Sequence, residues 1–151
     1  MLMVMKMVSV NDEAPVLVKA EIEIDADPET VWNIIADIES WPRWNPDVKS
    51  ARLQGEFRPG TQFLWKAGPA KITSLIQDVD PPHTLAWTGK IMGINAIHVW
   101  DIQVVDDKTV VRTEESWDGL MSSAMHDQLE EMLEKSLYSA LNNLKTECER
   151  V

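Results

Sequence analysis

A chain of 151 residues with 44% apolar content has room for one domain with a real core, and not for two. Fourteen Lys and Arg stand against 25 Asp and Glu, a formal net charge of -11 that repels nucleic-acid phosphates and anionic membrane surfaces. Nucleic acid is therefore a poor partner, and no apolar run reaches the length of a membrane span, which argues against integral membrane association.

The single cysteine, Cys148, permits no intramolecular disulfide or thiolate metal site and fits a reducing cytoplasm. The opening MLMVMKMVSV lacks the charged start and cleavage site of a signal peptide. Residues 1–14 read as a flexible tail ahead of one domain over 15–151, with an extra edge strand or dimer contact as the alternative. Met1, Met3, Met5 and Met7 leave the start of translation open.

VLVKAEIEID (16–25) alternates with the period of a half-buried strand. DPETVWNIIADI follows as a helix, with Asp27 as N-cap, Pro28 in its first turn and an apolar stripe at Val31, Trp32, Ile35 and Ile38. In SWPRWNP the prolines 42 and 46 end that helix, and Trp41 and Trp44 read as anchors at one end of the core. Turn residues then punctuate six further strands at roughly 47–55, 61–66, 70–79, 83–92, 95–105 and 108–117. One long helix over about 120–149 carries Met121, Met125, Leu129, Met132, Leu133, Leu137, Ala140, Leu141 and Leu144 on one face.

Seven strands make a sheet roughly 34 Å wide, whereas one helix is only about 10 Å across. The sheet must curl around the helix, and a curled sheet gripping a helix leaves space for an internal cavity.

The segments VWNIIADIESWPRWNP, GTQFLWKAG, PPHTLAWTGKIMGINAIHVW and TEESWDGL, followed by the terminal helix, resemble the polyketide cyclase/dehydrase and lipid-transport branch of the START-related, birch-pollen-allergen-like superfamily. The likeness runs over residues 16–149. It implies an α+β helix-grip fold with a central apolar cavity; it leaves function open, because that superfamily includes lipid carriers, hormone receptors, aromatase/cyclases, ring hydroxylase domains and chaperone activators.

Register follows from matching faces across each turn. Pairing Val105 with Lys108 sets Trp100 against Thr113 and His98 against Glu115. Pairing Val79 with Thr84 sets Ile76 against Trp87, Ser74 against Gly89 and Ile72 against Ile91. A four-residue turn over Met92–Asn95, pairing Ile91 with Ala96, then places Trp87 beside Trp100 and Gly89 beside His98. The resulting inner wall holds Phe63, Trp65, Ile72, Ser74, Ile76, Trp87, Ile91, His98, Trp100, Thr113, Glu115 and Trp117, with Met121, Met125, Leu129 and Met132 opposite on the long helix. Leu64, Leu75, Ile97 and Val99 are apolar exceptions on the outer face.

His98 thus joins a polar row with Ser74, Gly89 and Glu115, and a buried carboxylate needs such a partner. The pair reads as structural, ligand-binding or catalytic, and the tryptophans as core or as stacking surface. Three functions stay open. One is a binding protein for a small apolar or aromatic molecule such as a lipid, isoprenoid or polyketide-like compound. Another is a cyclase or dehydratase in which His98 removes a proton next to a carbonyl while Glu115 or Ser74 bonds the enolate. The third is a protein-partner module docking on the outer apolar residues. Neither of the first two requires a cofactor. The spacing of His126 and Glu130 suits a metal but lacks a third ligand, so no metal is expected, and the assembly is read as monomer or homodimer.

Overall fold

Period-two alternation in seven segments becomes one antiparallel sheet in the computed structural model, which describes residues 8–150. The strands are β1 (Val16–Ile24), β2 (Val48–Leu53), β3 (Gln62–Ala67), β4 (Ala70–Asp80), β5 (Thr84–Ile91), β6 (Ile94–Val105) and β7 (Lys108–Asp118), in the order β1-β7-β6-β5-β4-β3-β2. From β2 onward each strand pairs with the next in sequence, and only β1 crosses to the far side, against β7. The two edges, β1 and β2, never meet, so the sheet is curled but unclosed.

Between β1 and β2 lies the helical segment that closes one end of the core. Helix α1 (Pro28–Ala36) starts where the Asp27 carboxylate accepts the Thr30 N–H at 2.8 Å, and it buries Val31, Trp32 and Ile35. A 3-10 turn (Ile38–Ser40) leads into α2 (Trp41–Trp44), with Pro42 in its first turn, where a missing N–H costs nothing. Trp41 donates its indole N–H to the Ile35 carbonyl at 2.9 Å and sits edge-on to Phe63 and Trp65. It is a central wedge of the core as well as its end cap.

The expected single helix over 120–149 is two. Helix α3 (Leu120–Ala124) ends at Met125, whose backbone (φ -126, ψ 35) is not helical, and α4 (His126–Cys148) restarts from there. Leu133, Leu137, Leu141 and Leu144 are fully buried against the concave face of the sheet. Met121, Met125 and Met132, expected on the same wall, are 41%, 42% and 53% exposed. The break at Met125 turns α3 out of line with α4, and Met132 falls beside Leu133 on the solvent side of the apolar stripe.

The β6–β7 register is as expected: Val105 pairs with Lys108, Trp100 with Thr113 and His98 with Glu115. Between β4 and β5 the turn end pairs Asp80 with Thr84 instead of Val79 with Thr84, and an irregularity between Ile76 and Asp78 restores the expected Ile76–Trp87 and Ser74–Gly89 pairs. The β5–β6 expectation needs correction. Its turn has two residues, Met92 (φ 41) and Gly93 (φ 81), and pairs Ile91 with Ile94. Trp87 therefore faces His98, and Gly89 faces Ala96. Because the slip is two residues, every side chain keeps its face while changing its neighbours.

The segment expected as a tail is described from residue 8. Val10 is buried against Ala86 and Val99 on the convex face, with Val8, Leu17 and Ile97 packed around it, and the Asn11 N–H donates to Ser116 Oγ at 3.0 Å. Two of the outward apolar exceptions, Ile97 and Val99, are thus covered by the chain's own N-terminal segment, whereas Leu64 remains 45% exposed. Residues 1–7, which include the four methionines, lie outside the described residues.

Gly119, which links β7 to α3, has φ +114, and a Cβ there would stand 2.3 Å from the Gly93 carbonyl oxygen of the β5–β6 turn. Gly119→Ala should therefore destabilise the protein by about 2 kcal/mol or more, whereas Gly60→Ala, with φ +94 but open space, should cost about 1 kcal/mol. Urea unfolding of the two variants measures the difference.

Candidate functional site

The middle of the concave face carries an unbroken run of rings. Trp41 contacts Trp87 at 5.3 Å between centroids, Trp87 contacts His98 at 4.7 Å, and His98 contacts Trp100 at 5.4 Å. These rings meet because consecutive inward positions on β5 and β6 are brought side by side by the two-residue turn. Between them and α4 lies a cavity of about 80 Å³. Its walls include Trp65, Trp87, His98, Trp100 and Glu115 from the sheet, Leu137 and Ala140 from α4, and Trp44, Asn45 and Asp47 from α2 and the loop after it.

The residues expected to form the site divide accordingly. Phe63, Ile76 and Thr113 are fully buried in the packing behind the cavity; Ile72, Ile91 and Trp117 are half-buried on the inner face without lining it. Leu129 packs half-buried against the core, while Met121, Met125 and Met132 face solvent. Ser74 belongs to a different row from His98. Its hydroxyl accepts the Trp65 indole N–H at 3.0 Å, and Gly89 beside it has no Cβ because one would stand 3.1 Å from that hydroxyl. The space at Gly89 serves the serine, not the imidazole.

Sequence reasoning missed Asn45, Asp47, Ser136 and the cavity role of Trp44. The WPRWNP segment carries no periodicity, so which of its side chains points inward was not legible. The apolar stripe did signal Leu137 and Ala140, which were read as core only.

His98 and Glu115, cross-strand partners, form the polar part of the wall. His98 Nδ1 is 3.0 Å from Glu115 Oε1, and His98 Nε2 is 2.8 Å from the Thr113 hydroxyl. Trp117 donates its indole N–H to Glu115 Oε2 at 2.7 Å. The Nδ1 contact is close but makes no hydrogen bond.

Burial governs the charges. Removal from water pushes the His98 pKa down from 6.5 to about 3, so the imidazole is neutral at physiological pH. The same desolvation pushes Glu115 up from 4.5 to about 7, against the opposing pull of the Trp117 hydrogen bond. At neutral pH the two groups are therefore not an ion pair. They are a neutral imidazole beside a carboxyl that is close to half protonated.

Three buried ring nitrogens make no hydrogen bond in the protein, Trp44 Nε1, Trp100 Nε1 and His98 Nδ1, and each belongs to a residue of the cavity wall. Elsewhere, His126 contacts Asp127 at 2.6 Å on the exposed start of α4, and among the described residues no group of three or more His, Cys, Asp or Glu is placed to hold a metal ion. Among the described residues no helix is long and apolar enough to cross a membrane.

Several solved structures share this fold. A hypothetical protein from Helicobacter pylori superposes with a TM-score of 0.81 at 15% identity, covering 97% of this chain and 100% of its own. An aromatase/cyclase from a Streptomyces species gives 0.78 at 17%, covering 89% of this chain and 93% of that one. The protein Ara h 8.0201 gives 0.72 at 12%, covering 87% and 96%. Among curated proteins no sequence matches significantly. The sequence does match, over residues 15–149, the family described as polyketide cyclase/dehydrase and lipid transport. The seven-stranded grip around a C-terminal helix and the match over nearly the whole chain make this protein a member of that family.

Proposed function

We propose that the protein binds a small, largely apolar or aromatic molecule in the cavity between the sheet and α4. The observation that carries this reading is the space itself: a partly open cavity walled by tryptophan rings and aliphatic side chains, with one polar pair in its wall. A core meant only for packing is filled without such space.

The volume bounds the ligand. About 80 Å³ is below the ~150 Å³ known to admit a single benzene ring, so even a one-ring ligand needs the wall to yield. The part able to yield is the stretch from Trp44 to Asp47, the end of α2 and the loop after it, since the remaining wall is hydrogen-bonded strand, α4, Ile35 of α1 and the packed Trp41. The ligand is thus expected to bind by displacing this stretch outward.

A second reading, acid/base catalysis of the cyclase or dehydratase kind, is favoured by one observation. A neutral imidazole and a carboxyl poised to exchange its proton near pH 7 stand 3.0 Å apart in a dry wall. His98 would take a proton from carbon next to a carbonyl, and protonated Glu115 would supply one to the oxygen.

Both readings depend on the protonation of the pair, which leaves a mark on stability. Unfolded His98 binds more protons than native His98 between pH 3 and 6.5, so its contribution to stability rises with pH there. Native Glu115 binds more protons than unfolded Glu115 between pH 4.5 and 7, so its contribution falls as pH rises there. Over pH 4.5–6.5 the two slopes cancel, because folding transfers one proton from imidazole to carboxyl.

Two tests follow from these arguments. Titration with one- and two-ring aromatics, followed by tryptophan fluorescence, should saturate at one ligand per chain. Ala140→Leu, which fills the cavity from α4, should abolish that binding without lowering the melting temperature; unchanged binding would place the ligand elsewhere. In chemical unfolding as a function of pH, Glu115→Gln should lose stability on acidification from pH 6.5 to 4.5, by about 1.4 kcal/mol per pH unit relative to the parent. His98→Asn should instead lose it as pH rises from 4.5 to 7, with a slope of similar size and opposite sign.

A further inference from the structure

Positive charge is unevenly placed on this acidic chain. Among the described residues, every Lys and Arg outside the span 43–90, and Arg58 within it, stands within 3.8 Å of a carboxylate. The others, Arg43, Lys49, Arg52, Lys66, Lys71 and Lys90, have no carboxylate partner among the described residues. All of them come from the stretch between α2 and β5.

Strand pairing gathers four of these cations on one face. Arg52, Leu64, Thr73 and Lys90 pair in turn across β2, β3, β4 and β5, and Lys66 and Lys71 form the adjacent row. Their neighbours along the strands, Phe63, Trp65, Ile72 and Gly89, point inward, so the cations share the convex face, away from the cavity. No Asp or Glu occupies these rows or the next one, Gln62, Leu75 and Thr88. Leu64, 45% exposed, stands at the centre, beside an open depression whose lining includes Arg52, Lys66, Lys71 and Thr73.

The face narrows the kind of partner. Unpaired cations around an exposed apolar side chain are complementary to carboxylates around an apolar side chain. Four strands across and two residues along make a patch of about 14 by 7 Å, the footprint of one helix or extended segment. A bilayer would reach beyond it, to the rest of a chain whose net charge is -11 even with these cations included, and would be repelled within the ~8 Å Debye length. Strand addition at the edge of β2 is opposed at Leu53, whose N–H already donates to Glu39 Oε2 at 3.0 Å.

We propose that the convex face of β2–β5 docks an acidic segment of a partner protein, with Arg52, Lys66, Lys71 and Lys90 meeting its carboxylates and Leu64 covered by an apolar side chain between them. The site lies across the sheet from the cavity and does not depend on the cavity being filled.

Short synthetic peptides test this on the full chain: one of Asp and Glu around a central leucine, one with serine in place of that leucine, and one with Lys in place of every acid. Anisotropy of a fluorescent label on the peptide gives the affinity, and proton–nitrogen correlation spectra locate the contact. The acidic leucine peptide should saturate at one per chain, shift the amide signals around Leu64 on β2–β5, and weaken about tenfold between roughly 0.05 and 0.3 M salt. The serine peptide should bind several-fold more weakly, and the Lys peptide should leave these signals unmoved. Lys66→Glu combined with Lys71→Glu should weaken binding of the acidic leucine peptide by about tenfold or more, and Leu64→Ser by several-fold. Saturation at another face, equal binding of the serine or Lys peptide, or no saturable binding would overturn the proposal. So would vesicles of phosphatidylserine and phosphatidylcholine that shift the same amides while the acidic peptide does not, which would assign the face to a membrane. The parent protein's spectra and salt dependence decide this even if the double variant does not fold.

Discussion

A seven-stranded sheet offers far more apolar face than one helix can cover, and the remaining structure answers that mismatch. The sheet curls around α4, which packs along the edge strand β1, the leucines at 133, 137, 141 and 144 fill the groove, and the α1–α2 segment supplies Trp41 as a second covering element. Trp41 reaches Phe63 and Trp65 on β3 and Trp87 on β5 at once, so two strands are held by one indole whose own N–H is already bonded within its helical segment. The cavity is what remains where neither the leucine stripe nor Trp41 reaches the wall.

The sheet was legible in the sequence because side-chain parity is robust. A misjudged turn at Met92–Gly93 moved the β5–β6 pairing by two residues, and Trp87, His98 and Trp100 still faced inward. The same event shows what parity cannot give. Neighbours across strands depend on loop length, so the expected row of Ser74, Gly89, His98 and Glu115 broke at its Gly89–His98 step, although its Ser74–Gly89 and His98–Glu115 pairs were right. The turn uses Met92 at positive φ, where Asn or Asp is the usual signal, and that is why a longer loop was read there. The helix break at Met125 has no glycine or proline to announce it, so the methionines were drawn onto the wall by an unbroken period. Trp44, Asn45 and Asp47 lie in a stretch with no period at all.

The polar pair shows how a fold can bury two ionisable groups without holding two charges. Burial disfavours the imidazolium and the carboxylate alike, and placing them together lets the chain settle both by moving a proton from nitrogen to oxygen. Thr113 and Trp117 then bond the outer atoms of each group, fixing both rings and carboxyl in the wall. The result is a pair that is polar in its hydrogen-bonding atoms while holding less charge than an ion pair would.

The N-terminal segment has a consequence for where the molecule is rigid. With Val10 lying over Ala86 and Val99, β5 and β6 are covered on both faces, by α4 and the aromatic run within and by this segment without. The sheet is three layers deep at its centre and only two at the β2 and β3 side, where Leu64 meets solvent. Backbone amides of the central hairpin are accordingly the ones that exchange with solvent only when the whole domain opens, while the β2–β3 margin breathes locally, next to the Trp44–Asp47 stretch through which a guest would pass.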